Sequence, residues 1–186
     1  MVMGTLEVLN EYYQVHPLMK KYQIERIDVF LHPEKDIRNR GWNQLQAKLA
    51  VGSGGLTGKG FMEGTQNMLG FLPQTVSNTD FIFSVIAEET GFLGVCGLVM
   101  FYSMLIFSAL RAAMVARDQF GTCVACGTAA MIFMHSFVNM GMSIGIMPIT
   151  GLPLPLVSYG GTSMVTILAG FGLIMAVHTH RGLSGR

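Results

Sequence analysis

The sequence predicts an all-α integral membrane protein, on the strength of three observations. Hydrophobic residues make up 51% of the 186 residues and charged residues only 12%, whereas a typical soluble domain carries about 25% charged residues. The mean hydropathy is positive. No Asp, Glu, Lys or Arg occurs between Gln119 and His180. Such a composition, with so long an uncharged stretch, is typical of helices that cross a bilayer.

Three apolar stretches are long enough to span a membrane, which takes about 20 helical residues. They lie near residues 91–110, 121–146 and 156–177, so residues 81–186 are predicted to form a membrane domain. Residues 1–80 carry eight of the twelve Lys and Arg residues. We expect residues 1–80 to form a large extracytoplasmic loop region with short helices. No basic cluster with interleaved aromatic residues supports nucleic-acid binding.

The topology follows from where the basic residues flank the spans. Arg111 and Arg117 follow the first span, Arg181 and Arg186 follow the third, and none lies between the second and the third. The positive-inside rule then places the C-terminus in the cytoplasm and residues 1–80 on the outer side, although the eight basic residues there argue weakly against this. No secretory signal precedes residues 1–80. We therefore expect further spans upstream in the whole protein.

Residues 52–60 read Gly-Ser-Gly-Gly-Leu-Thr-Gly-Lys-Gly, which invites comparison with a phosphate-binding P-loop. That motif needs Gly where Ser53 stands and Ser or Thr where Gly60 stands, so the match fails at both ends. A Gly-rich turn is expected instead. Lys59 could still meet a phosphate group as a mobile point charge.

Several small or polar residues lie in the second predicted span. Cys123 and Cys126 have redox-motif spacing, but a membrane helix without a second Cys pair favours small buried residues at a helix–helix interface. His135 and Asn139 are interpreted as side chains that form hydrogen bonds between helices rather than as ligands.

The uncharged segment 147–163 contains Pro148, Pro153 and Pro155, which forbid a regular helix. Irregular backbone at membrane depth is tolerated only when it is buried in protein or lines a cavity. A helix is predicted to begin near Ser158, where free N–H groups could face an anion such as a pyrophosphate. The alternative is a structural turn that packs the last two helices together.

Asp80 stands where the polar region gives way to the membrane domain. A carboxylate that is partly desolvated at such a boundary is a better proton acceptor. Ionisable groups at membrane depth are costly, by about 2.5–3.5 kcal/mol on insertion scales, so they are commonly functional. The alternative is that Asp80 caps the following helix, because Thr and Asp are good N-caps.

Many blocks, in the same order along residues 18–181, resemble the SEDS family of shape, elongation, division and sporulation glycosyltransferases. The Leu168–Leu173 block and the His178-Thr-His-Arg181 ending resemble its RodA branch more than its FtsW branch. The other blocks include Phe30-Leu-His-Pro-Glu-Lys-Asp36, Gly52–Gly60, Thr79-Asp-Phe-Ile-Phe83, Ala87-Glu-Glu89, Val138-Asn-Met-Gly141 and Pro153-Leu-Pro-Leu-Val-Ser-Tyr-Gly-Gly161.

The resemblance implies a lipid II polymerase of the bacterial inner membrane, for cell-wall elongation and cell shape, with a class B penicillin-binding transpeptidase as partner. It maps the family's essential aspartate onto Asp80. The leaving pyrophosphate needs Lys, Arg or a divalent cation to neutralise it, and Lys59 and Arg26 are the candidates. No metal site is predicted from the sequence itself.

The resemblance also implies longer chains with more spans, so that this chain corresponds to the C-terminal half of a family member and forms a partial SEDS fold. Two other functions stay open. One is a lipid II flippase or transporter, which would also need a polar cavity between membrane helices. The other is a non-catalytic fragment that only binds a partner.

Overall fold

The computed structural model describes residues 21–32, 40–64 and 79–180, and every regular element among them is a helix. This confirms the all-α prediction. Within these described ranges, two short helices precede three long ones. In chain order they are α1 (Lys21–Leu31), α2 (Arg40–Ser53), α3 (Ile82–Met114), α4 (Gln119–Ile144) and α5 (Gly161–His180).

The three long helices satisfy the length and hydropathy needed to cross a membrane, and they are Ile82–Met114, Gln119–Ile144 and Gly161–Thr179. At 1.5 Å per residue each approaches or exceeds the roughly 30 Å of a hydrocarbon core. Local signals set the ends of α4. The Asp118 side chain accepts a hydrogen bond from the Gly121 N–H at the start, and Gly145 adopts a left-handed conformation (φ 78°) after the last turn.

Helix α4 packs against α3 and α5 and also contacts α2. One core cluster consists of Phe83, Tyr102, Ile132 and Leu154. A second cluster is built from the small side chains of Ala109, Ala112 and Ala129 together with Ile174. Alanines let helix backbones approach closely, which is how membrane helices gain packing contacts without a hydrophobic driving force. The packing therefore makes α4 the central support of the described residues.

The outer faces of α3 and α5 are exposed and apolar. Only 11% of the most apolar window of each helix is buried within the described structure. The exposed side chains include Met100, Met104 and Phe107 on α3, and Leu168 and Met175 on α5. Lipid or further helices would cover such faces in a membrane.

Two helices begin at other residues than the predicted spans, and one residue assignment changes. Helix α3 begins at Ile82 rather than near residue 91, and α5 begins at Gly161 rather than near Ser158. The prediction that Cys123 and Cys126 are buried between helices is wrong, because both are exposed. Ala125 and Ala129 occupy the buried face of α4 instead.

Candidate functional site

Helix α3 is broken near its N-terminal end, and the Gly-rich loop is built into the break. Gly91 has φ 67° and ψ −165°, which interrupts the helical conformation between Thr90 and Phe92. A break frees backbone donors and acceptors that need new partners. Four backbone hydrogen bonds of 2.9–3.1 Å supply them: Lys59 N to Glu88 O, Gly60 N to Glu89 O, Phe92 N to Gly55 O and Leu93 N to Leu56 O.

Close backbone approach explains the glycines of this loop. A Cβ on Gly54 would lie 2.1 Å from the Ala87 carbonyl oxygen, and one on Gly58 would lie 2.1 Å from that of Glu89. A Cβ on Gly91 would lie 2.2 Å from the Gly58 nitrogen. The glycines that invited comparison with a phosphate-binding loop are therefore required by the close packing of this loop against the α3 backbone.

Lys59 forms an ion pair with Glu88. Its Nζ donates to the Glu88 Oε1 at 2.7 Å, and the Glu88 side chain is 1% exposed against 27% for Lys59. Lys59 therefore neutralises a buried carboxylate of α3, which differs from the mobile phosphate contact that the sequence suggested.

Asp80 is half-buried and lies just before α3. The N-cap residue of α3 is Phe81, and no side chain caps the first turn. The capping interpretation of Asp80 is therefore wrong. A Cβ built on Gly151 would contact the Asp80 Oδ2 at 3.5 Å, which places the carboxylate against the loop that joins α4 to α5. That loop is the proline-rich segment predicted to line a cavity or to pack the last two helices.

Asn139 of α4 connects Asp80 to this loop. Its Nδ2 donates to the backbone oxygen of Asp80 at 3.0 Å and to that of Leu152 at 2.7 Å. Asn139 is completely buried, and among the described residues its Oδ1 has no donor. The sequence predicted a hydrogen bond between helices, whereas both acceptors belong to non-helical backbone.

Ser158 makes a second connection between the same two segments. Its hydroxyl donates to the Thr79 carbonyl at 2.7 Å and accepts from the Leu154 N–H at 2.8 Å. The side chain is 4% exposed. Because α5 begins three residues later, at Gly161, Ser158 does not offer a helix N-terminus to an anion, and its hydroxyl is engaged by protein groups.

Arg26 reaches the same loop from α1. Its Nη1 donates to the Thr150 carbonyl at 2.9 Å, and its guanidinium lies 5.7 Å from the centre of the Tyr22 ring. Thr150 precedes Gly151, the residue against the Asp80 carboxylate. The structure thus brings Arg26, Ser158 and Asp80 to one loop. Lys59 lies elsewhere, because its partner Glu88 is about two helical turns beyond Asp80 along α3.

His135 of α4 is another polar residue singled out from the sequence. His135 was expected to form an interhelical hydrogen bond, but its buried Nδ1 has no partner within the described part of the chain. Within the same residues, no group of three or more His, Cys, Asp or Glu side chains could hold a metal ion.

Comparison with known proteins places this arrangement in a family. The model of the FtsW, RodA and SpoVE family, described as cell cycle proteins, matches residues 3–183. The chain belongs to this family. It is 48% identical over 164 residues to the peptidoglycan glycosyltransferase MrdB of Escherichia coli, which covers 88% of this chain and 44% of that protein. It is 42% identical to the peptidoglycan glycosyltransferase RodA of Treponema pallidum, covering 88% of this chain and 37% of that one.

Solved structures agree with the sequence relatives. One solved structure is of a peptidoglycan synthase complex, described under the words "structural coordination of polymerization and crosslinking". The match covers 99% of this chain and 50% of that chain. The TM-score is 0.72 and the identity 32%. A mutant of the Thermus thermophilus rod shape determining protein RodA matches 74% of this chain and 41% of its own, with a TM-score of 0.56 and 38% identity.

The chain spans about half the length, or less, of the relatives that it matches. With three candidate spans in a family of membrane proteins, it is a multi-pass protein of the bacterial inner membrane.

Proposed function

We propose that the protein is a peptidoglycan glycosyltransferase of the RodA type, which polymerises lipid II for cell-wall elongation and cell shape. Family membership and the names of the relatives support the activity. The observation that carries the site is Asp80: a half-buried carboxylate, with no capping role, against the irregular loop between two membrane helices.

In this proposal Asp80 is the general base. The acceptor sugar hydroxyl attacks the anomeric carbon of the donor, a new C–O bond forms, and the bond to the lipid pyrophosphate breaks. The hydroxyl proton moves to the Asp80 carboxylate, and the electron pair of the broken bond leaves with the pyrophosphate. General base catalysis of this kind contributes about 10²–10⁴-fold to the rate. A carboxylate at the membrane boundary suits a substrate whose sugars are anchored to a lipid.

The leaving pyrophosphate needs positive charge to stabilise it. Arg26 is the better candidate of the two predicted cations, because its Nη1 binds the Thr150 carbonyl in the loop beside the Asp80 carboxylate. Lys59 and Ser158 are predicted substrate contacts that now have protein partners. A divalent cation in this chemistry would bind mainly through the substrate phosphates, as such ions commonly do.

The proposal includes a topology and a partner. Residues 1–80 and the Asp80 loop lie on the outer face of the inner membrane, and the C-terminus lies in the cytoplasm, as the positions of Arg111, Arg117, Arg181 and Arg186 predict. The partner is a class B penicillin-binding transpeptidase. Its support is the similarity to a chain of a complex that combines polymerization with crosslinking.

Polymer formation in detergent tests the activity and separates it from transport. The protein, in its full natural length, is purified and mixed with lipid II, and glycan strands are measured after electrophoresis. In detergent no bilayer separates two compartments, so a transporter cannot move lipid II from one side to the other, and it makes no polymer. Strands from the wild type are expected. A protein that makes none in detergent, yet moves lipid II across vesicles, would contradict the proposal.

A further inference from the structure

We propose that Asn139 and Ser158 are positioning residues that fix the direction of the Asp80 carboxylate. The inference rests on the proposed function and adds two residues to it. Neither side chain touches the reacting atoms in this account. Each acts through the backbone on one side of Asp80.

Both peptide groups that flank the Asp80 Cα accept hydrogen bonds from these side chains. The carbonyl of the preceding peptide belongs to Thr79 and accepts a hydrogen bond from Ser158 at 2.7 Å. The carbonyl of the following peptide belongs to Asp80 itself and accepts one from Asn139 at 3.0 Å. Fixing both peptide planes fixes the φ and ψ of Asp80, because these are the only soft backbone dihedrals between them. The Cα–Cβ direction is then set, and only the two side-chain torsions remain.

Both donors are themselves immobilised. Asn139 is 0% exposed and Ser158 is 4% exposed, and each makes a second bond to the α4–α5 loop, Asn139 to the Leu152 carbonyl and Ser158 to the Leu154 N–H. The next residue along the chain is anchored as well, since Phe81 is 1% exposed and packs with Ala47 of α2. Asp80 is therefore tied to α4, to α2 and to the segment before α5.

The same bonds set the distance between the carboxylate and the loop. Leu152 and Leu154, the loop residues that Asn139 and Ser158 bind, follow soon after Gly151, where an added Cβ would lie 3.5 Å from the Asp80 Oδ2. Asn139 and Ser158 thus determine both the direction of the Asp80 carboxylate and the position of the α4–α5 loop beside it. A misplacement of about 1 Å in such a site costs on the order of 10²-fold in rate.

Two matched serine substitutions test the inference. Ser158→Ala removes the hydroxyl that binds the Thr79 carbonyl. Ser136→Ala removes an equally buried hydroxyl that binds only the Ile132 carbonyl within α4, at 2.8 Å, with 5% exposure. Asn139→Ala removes the second connection, and Ser158→Thr restores a hydroxyl. The kcat, the KM for lipid II and the melting temperature are measured for each full-length protein.

A positioning role predicts that kcat falls about 10–100-fold in Ser158→Ala and Asn139→Ala, while the KM changes little. Ser158→Thr should recover part of the loss, and Ser136→Ala should keep its kcat even with a similar fall in melting temperature. A Ser158→Ala protein with wild-type kcat would overturn the inference, as would an equal loss of kcat in Ser136→Ala. If Asn139→Ala fails to fold, the serine pair decides alone.

An Asp80→Asn protein made alongside separates this inference from the proposed function. If Asp80→Asn is inactive and Ser158→Ala is fully active, only the positioning inference is wrong. If Asp80→Asn polymerises at the wild-type rate, the general-base role of Asp80 fails and the positioning inference falls with it, whereas a wild type that makes no polymer contradicts the proposed activity itself.

Discussion

The ion pair between Lys59 and Glu88 gives the sharpest stability prediction. Replacing Lys59 with Met keeps most of the apolar stem but removes the charge that neutralises Glu88. The carboxylate is 1% exposed and lies 2.7 Å from the Lys59 Nζ. Leaving one charge of a buried pair without its partner costs about 3–5 kcal/mol. Since Lys59 is 27% exposed, water can reach part of the site, and we expect the lower end, about 3 kcal/mol.

A double-mutant cycle measures this coupling. Thermal unfolding of the detergent-purified protein is compared for the wild type, Lys59→Met, Glu88→Gln and the double variant. Glu88→Gln removes the charge that needs neutralising, so the double variant should regain at least half of the stability lost in Lys59→Met. A melting temperature unchanged in Lys59→Met, or a double variant no more stable than Lys59→Met, would refute the structural role given to the pair.

Two glycine predictions follow from backbone geometry. Gly91→Ala should destabilise the protein by about 3 kcal/mol or prevent folding, because its φ and ψ are nearly exclusive to glycine and a Cβ would lie 2.2 Å from the Gly58 nitrogen. Gly97→Ala in the same helix meets open space and should be neutral or stabilising in the same thermal assay. Gly151→Ala should slow polymerisation, because φ is 73° and the added methyl group would contact the Asp80 Oδ2. Gly161→Ala, with nothing within 4 Å of its Cβ, is its control, and equal rates for the two variants would contradict the prediction.

The membrane spans could be predicted because hydropathy is a property of local sequence. The start of α3 could not, because Glu88 and Glu89 make its first turns look polar. Glu88 is neutralised by Lys59, 29 residues earlier in the chain, and no local pattern shows that partner. The Gly-rich loop could likewise be predicted as a turn from its glycines. Its backbone hydrogen bonds to the broken part of α3 could not be predicted, because they join residues far apart in the chain.

The buried face of α4 is encoded in the local sequence. Ala125, Ala129, Ile132 and Ser136 recur at helical spacing and are all buried, so the helical period alone places Cys123 and Cys126 off that face. Asn139 shows the opposite case. Its acceptors lie 59 and 13 residues away in non-helical backbone, and only the folded structure reveals that it binds the Asp80 backbone.

The rate of Asp80→Asn relative to wild type tests the central claim most directly. Asn keeps the shape of the side chain but cannot accept the proton of the attacking hydroxyl. Polymer formation from purified lipid II should therefore fall by about 10²–10⁴-fold, at an unchanged melting temperature. Asp118→Asn is the matched control, because Asp118 caps α4 through the Gly121 N–H and Asn caps equally well, so its rate should match the wild type. An Asp80→Asn protein that polymerises lipid II at near the wild-type rate would contradict the account.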